Sequence, residues 1–238
     1  MKIKIIISLC FAFLLLMAYF YGRSLWVPAL QKFTGKKTTE QVIKKIGKQA
    51  RQSLLPYFKQ AGIDYPPNNI TLLAFKKEHK LELWVKTSDG KNHFIRTYKI
   101  QKLSGKAGPK LIEGDRQVPE GFYKVTGLNP NSAYHLSMKL NYPNAHDLQQ
   151  AKKEGRINPG SNIFIHGKSV SIGCLAMGDK SIEELFTLVH DVGVKNSATI
   201  ISPHDPRFEP LKCNTKQAKW VCDLYVQIYQ RVSQEYIR

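Results

Sequence analysis

Cys174 and His166 are the two residues of this sequence best equipped for covalent chemistry, and they lie eight positions apart in the stretch 163–177, IFIHGKSVSIGCLAM. A cysteine attacks carbonyls near neutral pH when a neighbouring imidazole or converging backbone N–H groups favour its thiolate. The spacing is too long for one helical turn and suits a strand, a turn and a return. Ile163, Phe164 and Ile165 read as the end of a buried strand that delivers His166 at its tip. Gly167 lets the chain leave, and Ser171, Ile172, Gly173 and Cys174 bring the sulfur back. Gly173 removes a side chain where a substrate carbonyl must approach and leaves nearby backbone N–H groups free to form an oxyanion hole. The competing reading is a buried structural cysteine and a structural histidine that never meet.

The segment resembles the catalytic signature of the L,D-transpeptidase (YkuD-like) family, in which His-Gly precedes a Ser/Thr-x-Gly-Cys motif. It is most similar to the YafK-type branch, whose His-to-Cys loop is short and which lacks the second histidine of the usual motif; Ile172 stands there. Upstream, 105–123 (GKAGPKLIEGDRQVPEGFY) is similar to the family's Gly-Pro-Lys, Gly-Asp and Thr-Pro-Glu-Gly stretch, with Val118 in place of threonine. Tyr134-His135-Leu136 and Asn141-Tyr142-Pro143-Asn144-Ala145 resemble the strand and loop ahead of the site, so the likeness runs from about Pro66 to Pro203.

The resemblance implies an α+β fold: a mostly β, two-sheet L,D-transpeptidase core with helices before and after it. Cys174 becomes the nucleophile that forms a thioester with a peptidoglycan stem peptide, His166 the general acid and base, and Gly173 part of the oxyanion site. Ser171, Gly167 and Ile172 become substrate contacts, with turn chemistry as the alternative role for Ser171 and a solvated turn as that of Lys168. Ala176 occupies the position where many members carry an arginine or asparagine, which leaves the grip on a substrate carboxylate without its usual residue. No cofactor or metal is needed. An amine acceptor on a second stem or a wall-attached lipoprotein gives a cross-link, whereas water gives a carboxypeptidase or endopeptidase. A non-catalytic wall-binding module and a cysteine peptidase acting on proteins are the rival classes.

These residues need a scaffold, and the sequence divides into one. An apolar run from Ile5 to Phe20 follows two early lysines and is not followed by a small-x-small cleavage site, so 1–24 reads as an uncleaved signal anchor in preference to a removed signal peptide, and either route exports the domain to the envelope. Cys10 lacks the small residues of a lipoprotein acceptor site. In the helical segment 25–66, Thr38 or Thr39 caps a helix with Val42, Ile43, Ile46, Ala50, Leu54, Leu55 and Phe58 on one face. The catalytic domain is placed at 67–208. Residues 70–75 and 81–85 read as strands, the second alternating, and Ser88-Asp89-Gly90 turns into a third from His93 to Ile100. Strands dominate up to Cys174.

Further on, Ser181-Ile182-Glu183-Glu184 resembles a capping box. In the C-terminal extension, 209–238, a helix from Gln217 to Tyr236 carries Val221, Leu224, Tyr225, Ile228 and Tyr229 on one stripe, and Ser202 to Pro206 is a turn with His204 at the surface. Cys213 and Cys222 form a disulfide or, less in keeping with their spacing, bind metal. The 36 lysines and arginines against 18 acids give a formal charge of +18, which suits anionic wall polymer or lipid headgroups. Scattered lysines and the lack of a recognition motif argue against nucleic acid.

Overall fold

The computed structural model, described over residues 2–213 and 218–237, is an eight-stranded mixed sheet with helices on both faces. Strands β1 (Ile70–Phe75), β2 (Lys80–Lys86) and β3 (Asn92–Lys99) form the antiparallel meander that the turn signals predict. β4 (Gly121–Asn129), β5 (Ser137–Leu140), β6 (Phe164–His166), β7 (Leu175–Ala176) and β8 (Ser197–Ser202) complete the order β3-β2-β1-β8-β4-β5-β6-β7. The two expected sheets are joined through one strand. The first half of β4 pairs with β8, the second half pairs with β5, and a register shift between Val125 and Gly127 turns the strand from one sheet into the other.

α3 (Thr39–Gln60) and α5 (Asp179–Val192) cover one face. Thr38 caps α3 through a reciprocal box with Gln41, and the helix buries Leu54 and Phe58 completely. Arg51 on α3 grips Asp191 on α5 with two bonds of 2.7 Å, and Ser53 donates to Glu184 at 2.6 Å. α6 (Lys219–Glu235) covers the other face, packing Val221, Leu224, Tyr225, Ile228 and Val232 on Leu73, Phe75 and Trp84. Gln217 lies outside the described residues, and Tyr229 faces outward at 41 % exposure rather than joining the stripe.

The second covered face explains why β2 does not alternate. Leu81, Glu82, Leu83, Trp84 and Val85 are all buried, and Glu82 is held there by Arg207 at 2.9 Å and by the Trp84 indole N–H at 2.9 Å. Two helix starts also depart from the reading. α4 (Ala145–Lys153) interrupts the run of strands, begun by an Asn144–Asp147 capping box. α5 begins at Asp179 after the left-handed Gly178, so Ser181 lies inside the helix and caps nothing; Glu184 pairs with Arg96 at 2.7 Å instead.

Cys213 and Cys222 are disulfide-bonded, with Cα atoms 5.2 Å apart. At the other end α1 (Lys2–Tyr21) is apolar around its described surface and exposed, and no single helix among the described residues is long and apolar enough to cross a membrane. α1 passes that test only together with α2 (Arg23–Thr34), across a 73° bend. α2 touches the domain: Arg23 donates to the Ala133 carbonyl at 2.6 Å and Gln31 to that of Asn131 at 2.9 Å.

Candidate active site

β6 and β7 build the site, and their pairing sets its geometry. They run parallel, with Ile165 opposite Leu175 and His166 opposite Ala176. The chain therefore does not come straight back as a hairpin; it loops round through 167–174 and re-enters beside the start of β6. Continuing that register sets Cys174 against Phe164, two residues short of His166, or roughly 6–7 Å along the strand. Both side chains line one cleft of about 500 Å³, together with Tyr134, Ser171, Ile172 and Arg116. No hydrogen bond joins the Cys174 sulfur to the His166 ring: Sγ lies 3.8 Å from the Asn162 carbonyl, and the imidazole is bonded elsewhere. The direct pairing expected from the sequence is replaced by two groups that face a common space.

His166 is held hard. Its Nδ1 lies 2.6 Å from the Gly167 carbonyl, and because a carbonyl only accepts, Nδ1 carries the proton and Nε2 is the free lone pair. Tyr134 stacks on the ring with centroids 4.9 Å apart. Burial pushes the imidazole pKa below its ordinary value, against the opposing pull of the Gly167 carbonyl, so the ring is a neutral acceptor at pH 7. Burial likewise pushes the half-buried Cys174 thiol up to about 11, partly offset by the Phe164 backbone N–H and the Lys110 charge. The resting site is a neutral thiol beside a neutral base.

The backbone donors expected to be free are occupied. Gly173 N–H donates to Ser104 Oγ at 2.5 Å, and Cys174 N–H donates to Ser171 Oγ at 3.1 Å. Ser171 returns its own proton to the Cys174 carbonyl at 2.6 Å, a closed turn that fixes the cysteine. An oxyanion reaches these N–H groups only by displacing a serine hydroxyl. Gly173 has φ +99, which a side chain would strain, so its glycine is explained by the turn that presents Cys174.

Gly167 is not on the cleft wall. A Cβ there would stand 2.7 Å from the Tyr134 carbonyl and 2.9 Å from Asp179 Oδ1, so its role is to let β6, the Tyr134 loop and α5 close together. Gly167→Ala is expected to cost about 1–3 kcal/mol through overpacking, seen as a lower urea midpoint with unchanged slope. Lys168 is left-handed at φ +59 and ion-paired to Asp179, more engaged than a solvated turn residue. Ile172, 73 % exposed, does line the cleft. His204 binds the Glu209 carbonyl at 2.9 Å and is absent from the cleft wall.

Sequence reasoning missed Tyr134 and Arg116 as cleft residues and Ser104 as the partner of Gly173. They arrive from loops 30 to 70 positions away, beyond the reach of local spacing. The 105–123 stretch does have a positional job. Asp115 accepts from Lys110 at 2.5 Å and from the N–H groups of Leu111, Ile112 and Gln117 at 3.0, 3.1 and 2.9 Å, and Gln117 bonds back to Lys106 and Gly108. Through Arg116 this cross-bonded loop contributes to the cleft wall, and the Gln117 carbonyl oxygen lies 3.6 Å from where a Cβ on Gly173 would stand. A second cleft of about 410 Å³, near Arg207 and α6, has neither a thiol nor a histidine in its wall.

Comparison with known proteins agrees with the likeness carried by these motifs. The L,D-transpeptidase catalytic domain family, YkuD, matches residues 63–201. The candidate L,D-transpeptidase YafK of Escherichia coli (strain K12) is 40% identical over 139 residues, 58% of this chain and 54% of the relative, so the chain spans about half the length of the curated relatives it matches. Among solved structures, the helical cell shape determining protein Pgp2 of Campylobacter jejuni, as its K307A mutant, overlays with a TM-score of 0.49 at 24% identity, covering 71% of this chain and 57% of that one. Bd1075 of Bdellovibrio bacteriovorus gives 0.42 at 19% identity over 70% and 55%. The family match covers more than half of the chain, and the protein belongs to the YkuD family of L,D-transpeptidase catalytic domains.

Proposed function

We propose that this protein is a cysteine acyltransferase acting on peptidoglycan stem peptides. The observation that carries the reading is that Cys174 and His166 open on one cleft in a chain of this family. In the reaction, His166 Nε2 takes the thiol proton as Sγ attacks the carbonyl of the third, L-centred residue. The tetrahedral oxyanion draws on the Gly173 and Cys174 N–H groups as the serine hydroxyls give way. Collapse breaks the amide, His166 returns its proton to the leaving amine of the terminal D-residue, and a thioester remains on Cys174. An amine acceptor then yields a new amide, or water a free acid. The same histidine removes the acceptor's proton in either case.

An envelope location fits this chemistry. The Cys213–Cys222 disulfide is of a kind that persists in oxidising compartments, and the formal charge of +18 suits residence near anionic wall polymer. In this reading the exposed apolar α1 associates with the inner membrane. The test is to incubate the full chain with a defined muropeptide tetrapeptide and follow masses. Loss of the terminal D-alanine, or its exchange for an added D-amino acid, supports the proposal; an unchanged peptide, with cleavage of ordinary L,L-peptides instead, overturns it.

A further inference from the structure

Helix α2 has two faces, and the fold uses one of them. Arg23, Val27 and Gln31 share an edge at helical spacing: Arg23 donates to the Ala133 carbonyl at 2.6 Å, Val27 is buried, and Gln31 donates to the Asn131 carbonyl at 2.9 Å. Just past the helix, the Lys37 backbone exchanges two hydrogen bonds with the Asn131 side chain, at 2.8 and 2.7 Å. These bonds all fall on 131–133, inside the stretch that supplies Asn129, Ser132, Ala133 and Tyr134 to the wall of the active-site cleft. The far edge is bare. Leu25, Ala29 and Phe33 repeat the same spacing on nearly the opposite side of the helix, and Leu25 and Phe33 are 80 % and 90 % exposed. α2 follows directly on the exposed apolar α1, across a corner where Tyr19 and Trp26 stack with centroids 5.5 Å apart and Arg23 lies over Trp26 at 4.9 Å.

We propose that α2 is an interfacial helix that seats the active-site cleft on an anionic lipid surface: the Leu25, Ala29 and Phe33 edge enters the bilayer boundary, and the Arg23 and Gln31 edge holds the cleft loop above it. The proposal rests on the reading that α1 associates with the membrane and is independent of acyl transfer. Charge and continuity decide for lipid over a protein groove. Residues 21–39 include Arg23, Lys32, Lys36 and Lys37 and no aspartate or glutamate, the composition that anionic headgroups attract. A groove covers one stripe of a helix, whereas α1 is exposed and apolar around its described surface, which suits lipid. Lys32 flanks the apolar edge, so its stem can lie along lipid while its ammonium reaches the headgroups. Tyr19 and Trp26 at the corner are residue types that settle at the membrane–water boundary. A helix with its side chains is about 10–12 Å across, so the rim of the cleft comes to lie about that far from the lipid. The stems and acceptors it meets are then those close to the membrane surface.

The experiment reads the bare edge directly. Phe33→Trp adds an indole at a position too exposed to disturb the fold. The full chain, as wild type and variant, is mixed with vesicles of phosphatidylcholine brominated in the upper acyl chain, with or without phosphatidylglycerol as a quarter of the lipid, and the difference in emission isolates the added indole. On the anionic vesicles that indole is expected to lose about half its intensity, as suits a face set about 5–10 Å into the boundary, and less on phosphatidylcholine alone. Hydrogen exchange at 129–134 is expected to slow by about fivefold or more on the anionic vesicles, the size of an ordinary coupling between linked sites. In the double variant Leu25→Ser with Phe33→Ser, which keeps α1, that slowing is expected to vanish. Bound chain with an unquenched indole leaves the edge to a protein partner and overturns the inference while membrane association stands. Quenching as strong without phosphatidylglycerol, or exchange at 129–134 that ignores the vesicles, overturns it equally. Chain that stays in solution with both vesicles overturns the α1 reading and the inference with it.

Discussion

Cys174→Ala is expected to bring stem-peptide turnover to background, and His166→Ala to lower it by about 10²- to 10⁴-fold, the range of a positioned general base. The thiol explains why the histidine matters so much. With its pKa pushed up to about 11, roughly one molecule in 10⁴ carries a thiolate at pH 7, so attack depends on a base that removes the proton as the bond forms. His166, held neutral by burial and with Nε2 free, is that base. Its lowered pKa sets the sign of the pH dependence. The wild-type kcat/KM rises as pH climbs through a value below the ordinary 6.5 or so of histidine and then holds level. In His166→Ala the rate instead keeps rising with pH toward the thiol's own ionisation. A pH profile of the mutant that superimposes on the wild type would remove His166 from the reaction.

Folding stability carries the same two signatures. An imidazole whose folded pKa is depressed contributes stability that is present above its unfolded value and is lost as pH falls through the folded one; the raised thiol contributes stability that is present below about 9 and is lost as pH rises toward 11. Denaturation midpoints against pH read both windows.

Glu120→Ala is expected to cost about 3–5 kcal/mol of folding free energy, the range for breaking a buried ion pair by removing one partner. The Glu120 side chain is almost wholly buried and joins three parts of the fold. Oε1 accepts from Lys76 Nζ at 2.8 Å and from Gly108 N–H at 2.8 Å, and Oε2 accepts from the Tyr225 hydroxyl at 2.7 Å. It thus ties the end of β1 to the loop beside the cleft and to α6. Removing it leaves a buried lysine with only the Gly108 and Val118 carbonyls and takes away the Oε2 acceptor that the Tyr225 hydroxyl uses at 2.7 Å. Burial pushes the Lys76 pKa down against the pull of Glu120. The double variant Lys76→Met with Glu120→Leu is expected to recover much of the loss, because the uncompensated charge goes with the acid. Equilibrium urea unfolding of the three variants checks this. A loss below about 1 kcal/mol in Glu120→Ala would mean that the acid is not a junction.

Much of this was legible in the chain, for physical reasons that differ by element. α3 was readable because its cap and apolar face are local, and the β1-β2-β3 meander because turn chemistry fixes its register. α4 has an equally local signal, Asn144 followed by Asp147, that went unread among the strands. β2 looked alternating because Glu82 is acidic, yet Arg207, 125 positions away, pays for its burial under α6. The site was legible in identity and less so in geometry. Motif spacing indicated Cys174 and His166, but the parallel β6–β7 register, the serine hydroxyls on the backbone donors and the arrival of Tyr134 and Arg116 from distant loops all depend on tertiary pairing.

The central claim is that Cys174 becomes acylated by a stem peptide, and intact-protein mass spectrometry reads this directly. The full chain is mixed with a tetrapeptide stem, quenched in acid within seconds and weighed, with Cys174→Ala alongside. The account predicts an added mass equal to that of the stem minus the whole released amino acid, which is the shortened stem less one water, mapped to the peptide containing Cys174, labile to hydroxylamine and absent from the mutant. Turnover with no such adduct at any time, or an adduct that survives in Cys174→Ala, would contradict it.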